Sequence, residues 1–190
     1  MTPSITKKES IAAWGEGYVE TWCGFDRSYA PDIQAFCKRE LGAGKNKVTL
    51  EVGSGGGYWT KFLAENSAHV HCLDVIPQPR SVVGVSWHQR NDGQFNCDGI
   101  AGECIDFVFS FGVFCHFNIE DNETYLRDIY RVLKPGGSAI LMYGDTTKNP
   151  NAGFPINNFF QTMEMVGKTP FLATSLLEYR DTLLLLKKPN

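Results

Sequence analysis

Apolar and polar positions change their spacing several times along the chain, and each change marks a predicted element. Short runs rich in β-branched and aromatic residues predict strands at Lys47–Glu51, Ala68–Asp74, Val82–His88, Ile105–Phe111 and Ser138–Tyr143. Apolar residues at helical spacing predict helices at Tyr58–Asn66, from a cap at Asp121 to a stop at Lys134–Gly137, and at Ile156–Val166. Strands that alternate with helices in this way are typical of a parallel sheet wound with helices.

The end of the chain has a different pattern, with two strand-like runs and no helix between them. These runs, Phe171–Tyr179 and Thr182–Lys187, are separated only by Arg180 and Asp181. Because two residues cannot make a parallel crossover, the runs predict an antiparallel hairpin. The whole pattern predicts an α/β fold, with a seven-stranded, mostly parallel sheet flanked by helices and closed by a C-terminal antiparallel hairpin.

Length and charge narrow the class of protein further. A chain of 190 residues with net charge −3 is expected to form one structural domain. Its Lys and Arg residues are scattered, so nucleic acid is not an expected partner. The first fifteen residues lack the apolar core of a signal peptide, and the longest apolar run elsewhere, Leu183–Leu186, is too short to span a bilayer. We therefore expect a soluble, cytoplasmic protein that is not bound to a membrane.

The cysteines and histidines raise the question of a metal site. The six cysteines include no C-x-x-C pair, and several lie in apolar runs where a thiol behaves as a small hydrophobe. His69, His71 and Cys72 resemble a set of metal ligands. However, positions 69 and 71 share one face of a strand, while position 72 points to the other face. These side chains cannot converge by themselves, and we expect no metal.

A glycine-rich loop follows the first predicted strand, within the run LEVGSGGGY. Glu51, Gly53, Gly55 and Gly57 form the pattern E-x-G-x-G-x-G, in which the backbone can turn sharply and pass close to a ligand. The dinucleotide fingerprint G-x-G-x-x-G would need a glycine where Tyr58 stands, and no G-K-[ST] follows to complete a phosphate-binding P-loop. A glycine turn that binds no ligand remains an alternative.

The loop resembles motif I of the class I S-adenosylmethionine (SAM) dependent methyltransferases. The run YLRDIYRVLKPGGSAILM, Tyr125–Met142, is similar to the late motif of that family, and the resemblance covers roughly Lys45 to the end. It implies a Rossmann-like SAM-binding domain over residues 45–190, with residues 1–44 as an N-terminal helical lid or substrate segment. It also implies that SAM is the cofactor, that S-adenosylhomocysteine is a product, and that a small-molecule acceptor takes the methyl group on an O, N or S atom by in-line displacement.

The resemblance assigns cofactor-binding roles to residues at the ends of the first two strands. Gly53, Ser54, Gly55 and Gly57 would pass under the ribose and methionine portion of the cofactor. Glu51 would face the methionine amino group, directly or through water. Asp74, at the end of the second strand, would accept hydrogen bonds from both ribose hydroxyls.

Further assignments concern the adenine and the other side of the amino group. Asp92 and Gly93 would bind the exocyclic amine and a ring nitrogen of adenine, although N-D-G is also an ordinary turn. Ile76 could pack on the adenine face or belong to the core. Ser110 and Phe111, at the end of the fourth strand, could offer backbone carbonyls to the methionine ammonium.

The acceptor side is predicted from three segments. His116, in the run FGVFCHF, is the best-placed candidate for a general base, and a structural histidine in that loop is an equal alternative. Tyr18 lies between Trp14 and Trp22 at i, i+4, i+8 spacing, which predicts either a helix packed on the sheet or a lid from which Tyr18 hydrogen-bonds inward. The connection 144–155 is predicted to form the other wall.

Other functions remain open at this point. A protein that binds SAM without catalysis, as a sensor or partner subunit, would share the same cofactor residues, and a peptide or protein target is a further alternative. A nicotinamide oxidoreductase is disfavoured, because position 58 is not glycine. The sequence leaves the choice between monomer and homodimer open.

Overall fold

The computed structural model describes residues 30–75, 81–89, 96–148, 158–178 and 181–190. Within these residues seven strands form a single sheet: β1 Val48–Val52, β2 His69–Asp74, β3 Val85–Gln89, β4 Ile105–Ser110, β5 Leu133–Tyr143, β6 Leu172–Glu178 and β7 Thr182–Lys187. The helices in the same residues are α1 Ala30–Leu41, α2 Tyr58–Asn66, α3 Ile119–Val132 and α4 Phe159–Gly167, with a 3-10 turn at Phe114–His116. None of the helices in these described ranges is both long and apolar enough to cross a lipid bilayer.

The strands lie in the order β3-β2-β1-β4-β5-β7-β6. Neighbours from β3 to β5 are parallel, whereas β7 runs antiparallel to both β5 and β6. This arrangement confirms the predicted mostly parallel sheet and its terminal hairpin. The chain order reverses between β1 and β4, and in open α/β sheets a ligand binds beyond the carboxyl ends of the strands at such a point.

The sheet separates two apolar cores, because successive side chains of a strand point to opposite faces. On one face, Leu50 and Val52 of β1 pack with buried residues of α3 and α4. On the other face, α1 and α2 cover the central strands. Trp59, Phe62 and Leu63 of α2 are buried there, as the helical pattern predicted. Helix α1, from the segment predicted as a lid, is part of this second core.

Helix α3 begins earlier than predicted. Its N-cap is Asn118, whose side-chain oxygen accepts a hydrogen bond from the Asp121 backbone N–H at 2.9 Å. The prediction of Asp121 as the cap is therefore wrong. Asp121 lies in the first turn, where its negative charge interacts favourably with the helix dipole. Asn and Asp both suit a helix start, so residue type by itself did not distinguish the two positions.

The end of helix α3 also differs from the prediction. The helix ends at Val132 and β5 begins at Leu133, so the K-P-G-G residues predicted as a helix stop lie within the first part of β5. The pairing of β5 with β4 shifts register between Ile105 and Phe107. Such an irregularity lets a strand take up extra residues without losing the pairing on either side.

Lys188 binds backbone carbonyls where helix α3 ends and strand β5 begins. Its buried amino group donates to the backbone carbonyls of Tyr130 and Leu133, at 3.1 and 2.7 Å, and to the Glu103 carboxylate at 3.2 Å. Carbonyls at a helix C-terminus have no partner within the helix, so a cation there is stabilising.

Helix α4 begins at Phe159, after a capping box formed by Asn158 and Gln161. Its predicted start at Ile156 lies outside the described residues. The remaining strands and helix α2 lie within a few residues of their predicted ends.

Candidate functional site

The glycine loop connects the end of β1 to the start of α2. Gly53, Gly55 and Gly57 have φ values of +75°, +48° and +83°, a region that favours glycine. The Gly53 N–H donates to the Leu73 carbonyl at 2.7 Å, and the Gly57 N–H donates to the Ser54 carbonyl at 2.9 Å. The loop is therefore a tight turn bound to the end of the neighbouring strand β2.

A neighbouring side chain occupies the space that a Cβ atom at position 53 would take, so the position needs glycine. A Cβ atom at this position would lie 2.0 Å from Cγ2 of Val113, in the segment after β4. The sequence pattern suggested that this glycine leaves room for a ligand, but the space on its Cβ side is taken by Val113. Nothing in the sequence pattern pointed to Val113, since it lies in an unpatterned loop.

Asp74 lies on the glycine loop, as its position at the end of β2 predicted. Its Oδ2 atom accepts a hydrogen bond from the Gly55 N–H at 2.7 Å. The residue is half-buried, and this hydrogen bond fixes its carboxylate on the loop. A carboxylate held in this way can accept further hydrogen bonds from a ligand that lies across the loop.

Glu51 lies beneath the loop and is 2% exposed. Its Oε2 atom accepts a hydrogen bond from the Thr60 hydroxyl at 2.5 Å, and the Cys72 thiol lies 3.4 Å from the same oxygen. Burial raises the pKa of Glu51 to about 7, against the lowering effect of these two contacts, and the nearby charge of Asp74 raises it further. Glu51 and Asp74 thus lie close enough at the glycine loop for their charges to interact.

Thr60 and Cys72 are polar partners of the site that the sequence interpretation missed. The sequence pattern gave Thr60 no role, and it presented Cys72 only as a buried thiol or a candidate metal ligand. A signal was present for Cys72, because Glu51 and Cys72 are register partners in the parallel pair of β1 and β2. Thr60 faces Glu51 because it lies in the first turn of α2, directly after the glycine loop.

Ser54 contributes a buried hydroxyl in the same loop. Among the described residues its Oγ atom has no hydrogen-bond partner. A buried hydroxyl without a partner is costly, and a ligand at the loop would satisfy it.

Ser110 and Phe111 lie beside the loop, at the end of β4. The Ser110 hydroxyl donates to the Val52 carbonyl at 2.8 Å and so joins the ends of β4 and β1. The Phe111 ring is half-buried, and its centroid lies 5.7 Å from that of Trp59 in α2. Both residues are therefore brought to the predicted edge of the sheet.

His116 ends the 3-10 turn after β4, and its backbone N–H donates to the Val113 carbonyl at 2.9 Å. Burial lowers the pKa of His116 to about 4, although a hydrogen bond with the Gly112 backbone acts in the opposite direction. The imidazole is therefore neutral at pH 7 and is a weak base, since a general base works best with a pKa near the operating pH.

Several predicted residues lie outside the described residues. They are Tyr18, Ile76, Asp92 and Gly93, together with most of the predicted wall at 144–155. Their roles stay predictions.

The histidines of β2 lie together on one face of the strand, as their spacing predicted. His71 Nδ1 lies 3.0 Å from His88 Nε2, and His69 Nε2 lies 2.9 Å from the Ser86 hydroxyl. Cys72 belongs to the core on the opposite face. The prediction that Cys72 points to the opposite face from His69 and His71 is confirmed.

Comparison with known proteins finds similarity to methyltransferases. Residues 50–141 match the family model described as a methyltransferase domain. The ubiquinone biosynthesis O-methyltransferase of Pseudomonas entomophila (strain L48) is 29% identical over 115 residues, which are 56% of this chain and 47% of that protein. The chain thus spans about half the length of the curated relatives it matches.

Solved structures with the same fold cover nearly the whole chain. The N-methyltransferase NodS from Bradyrhizobium japonicum WM9, in complex with S-adenosyl-L-homocysteine, superposes with a TM-score of 0.72 at 14% identity, over 97% of this chain and 99% of that one. A Burkholderia thailandensis 1,6-didemethyltoxoflavin-N1-methyltransferase gives a TM-score of 0.72 at 17% identity, over 97% of this chain and 87% of that one. At sequence identities this low, the structural similarity establishes a shared fold and nothing more.

Proposed function

We propose that this chain is a class I methyltransferase domain, which binds SAM at the carboxyl edge of its sheet and transfers the methyl group to a small-molecule acceptor; the match of residues 50–141 to a methyltransferase domain model supports this. The observation that carries the proposal is the position of Asp74. Its carboxylate is fixed on the glycine loop by the Gly55 N–H at 2.7 Å, while Glu51 lies beneath the same loop. Two carboxylates at one glycine turn suit a ligand that carries both hydroxyl groups and an ammonium group.

Each of these residues binds a different part of the cofactor. Asp74 accepts hydrogen bonds from the ribose hydroxyls, and Glu51 faces the methionine ammonium. The loop from Gly53 to Gly57 lies under the ribose and methionine portion. The buried Ser54 hydroxyl supports this fit, because it has no partner among the described residues. In the same proposal Asp92, Gly93 and Ile76 bind the adenine, and the ends of β4 complete the ammonium site.

The chemistry needs little beyond alignment. The cofactor supplies a sulfonium methyl group that is already a strong electrophile. The chain holds the acceptor atom in line with the S–CH₃ bond and excludes water, and such positioning accounts for about 7–11 kcal/mol of a lowered barrier. With a pKa near 4, His116 serves as a base only for an acceptor that loses its proton readily, or orients the acceptor as a neutral imidazole.

Two relatives support an acceptor that is a small molecule. One matching protein is described as a ubiquinone biosynthesis O-methyltransferase, and one solved structure holds 1,6-didemethyltoxoflavin with S-adenosylhomocysteine. Their acceptors differ in the atom that is methylated. We therefore propose the class of acceptor and leave O, N and S as candidate atoms.

Calorimetric titration with SAM and with S-adenosylhomocysteine tests the binding step. Asp74→Asn keeps the acceptor atom for the Gly55 N–H but removes the charge, and we expect binding about 10- to 100-fold weaker. Asp98→Asn is the matched control, since Asp98 is an exposed aspartate in the segment after β3, and it should bind like the wild type. The absence of binding heat in the wild type would refute the proposal.

Transfer is tested separately with methyl-labelled SAM and a cell extract. Label in a low-molecular-weight metabolite supports the proposal, and the labelled compound identifies the acceptor. Label in protein would replace the small-molecule acceptor by a polypeptide. Tight SAM binding without label in either fraction would favour the non-catalytic alternative.

A further inference from the structure

The two contacts to Glu51 converge on one of its oxygens. The Thr60 hydroxyl is 2.5 Å from Oε2, and the Cys72 sulfur is 3.4 Å from that same atom. Within the described residues, no hydrogen bond reaches the other carboxylate oxygen, Oε1. Both partners are fully buried, and they come from different elements, Thr60 from α2 and Cys72 from β2.

We propose that Thr60 and Cys72 are positioning residues, which hold Oε2 of Glu51 from a helix and a strand and thereby leave Oε1 for the ammonium group of the cofactor. The inference rests on the proposed function, because it assigns the partner of Oε1. Neither residue touches the cofactor in this arrangement. Their effect reaches it only through Glu51.

The behaviour of the Thr60 hydroxyl supports this role. Thr60 lies in the first turn of α2, and its hydroxyl donates across to Glu51 on strand β1. The distance of 2.5 Å is at the short end of the range for hydrogen bonds between a hydroxyl and a carboxylate.

The electrostatics of the pocket give Thr60 a second effect on the same carboxylate. Burial favours the neutral form of Glu51, and the contacts from Thr60 and Cys72 oppose it, so that the pKa stays at about 7. Without the Thr60 hydroxyl the pKa would rise further, and less of the protein would carry the charge that an ammonium group needs. Removal of Thr60 should therefore weaken cofactor binding most at neutral and lower pH.

Thr49 offers a matched control. It is fully buried in the same strand as Glu51 and on the same face, and its hydroxyl forms a 2.8 Å hydrogen bond with the Ser67 hydroxyl. Thr49→Val therefore removes a buried hydroxyl of the same kind without altering the contacts of Glu51. A general effect of losing a buried hydrogen bond would appear equally in both variants.

The experiment compares Thr60→Val, Thr60→Ser and Thr49→Val by calorimetric SAM titration between pH 6 and pH 8.5. We expect Thr60→Val to bind SAM about tenfold more weakly at pH 7, with the ratio to wild type shrinking as pH rises. Taking that ratio at each pH cancels the titration of the cofactor itself. Thr60→Ser and Thr49→Val should bind within about twofold of the wild type. Turnover at saturating SAM should be little changed in all three variants, so the effect falls on KM rather than kcat.

A second measurement separates this inference from the proposed function. Carbon-13 NMR of labelled glutamate follows the ionisation of Glu51 without any cofactor, and its midpoint should rise in Thr60→Val and stay unchanged in Thr49→Val. If the wild type does not bind SAM, the proposed function fails and the inference fails with it. If the wild type binds SAM but Thr60→Val keeps the wild-type affinity and the wild-type titration of Glu51, only the inference is overturned. An equal loss in Thr49→Val would overturn it as well.

Cys72→Ala keeps the test decisive if Thr60→Val does not fold. It removes the longer of the two contacts to Glu51, so the pKa of Glu51 should rise as in Thr60→Val, but by less. Cys37→Ala is its control, because Cys37 is another fully buried thiol of the same core, with no hydrogen bond to Glu51. Equal SAM affinities in the two cysteine variants, together with an unshifted Glu51 titration, would overturn the inference.

Discussion

Replacing Gly53 by alanine tests the contact between the glycine loop and the segment after β4. The new Cβ atom would lie 2.0 Å from Cγ2 of Val113, and the backbone φ of +75° is one that alanine adopts poorly. The backbone conformation costs about 1–2 kcal/mol, and the overlap with Val113 adds about 1–3 kcal/mol of overpacking. We therefore expect Gly53→Ala to lower the free energy of unfolding by about 2–5 kcal/mol.

Gly42 separates the two contributions. Its φ is +71°, close to that of Gly53, but a Cβ atom there would have no neighbour within 4 Å. Gly42→Ala should therefore show the backbone cost of about 1–2 kcal/mol without the overlap. Urea denaturation followed by circular dichroism gives the free energy of unfolding, and an unchanged m value shows that the unfolding reaction is the same.

A double-mutant cycle with Val113→Ala measures the overlap directly. Truncating Val113 removes the atom that a Cβ at position 53 would meet, so Gly53→Ala should cost about 1–3 kcal/mol less in the Val113→Ala background. The reasoning would be refuted by a Gly53→Ala variant no less stable than Gly42→Ala, or by a cycle with no coupling between positions 53 and 113.

Three further substitutions test other buried polar groups, each by urea denaturation. Lys188→Met leaves the carbonyls of Tyr130 and Leu133 without their donor and should cost about 1–3 kcal/mol; an unchanged midpoint would contradict this. The pKa of His116 is near 4 in the folded protein and about 6.5 in the unfolded chain, so the folded state binds fewer protons. The free energy of unfolding should therefore fall by up to about 3 kcal/mol as pH drops from 6.5 to 4, and His116→Asn should remove this pH dependence. Burial acts to raise the pKa of Asp145, but its hydrogen bonds and the nearby lysine lower it overall. The stability that Asp145 provides should therefore be lost as pH falls below the pKa of aspartate in the unfolded chain, and Asp145→Asn should reduce this loss at acid pH.

The part of the site that the sequence predicted is the part fixed by strand ends. Runs rich in β-branched and aromatic residues locate the ends of β1 and β2, and parallel strands carry their carboxyl ends to one edge. That is enough to bring Asp74 to the glycine loop, where the Gly55 N–H holds it. The same logic brought Ser110 and Phe111 to the correct edge.

The partners of Glu51 and Gly53 could not be predicted in the same way. They depend on how α2 is rotated against the sheet and on the path of the segment after β4. Helical periodicity gives the buried face of α2, but Thr60 is a polar residue on that face and does not mark it. Val113 lies in a segment with no periodicity at all, so its contact with Gly53 appears only in three dimensions.

The packing role of Gly53 determines which variants can report on the proposed cofactor binding. Gly53 is needed for packing against Val113 whether or not a ligand binds, so a loss of activity in Gly53→Ala follows from either cause. Asp74→Asn differs, because the amide oxygen can still accept from the Gly55 N–H while the negative charge is gone. Thr60→Val differs again, since it changes Glu51 beneath the loop and leaves the loop backbone as it is. If both carboxylates bind the proposed cofactor, the SAM affinity should fall in both of these variants and stay unchanged in Thr49→Val.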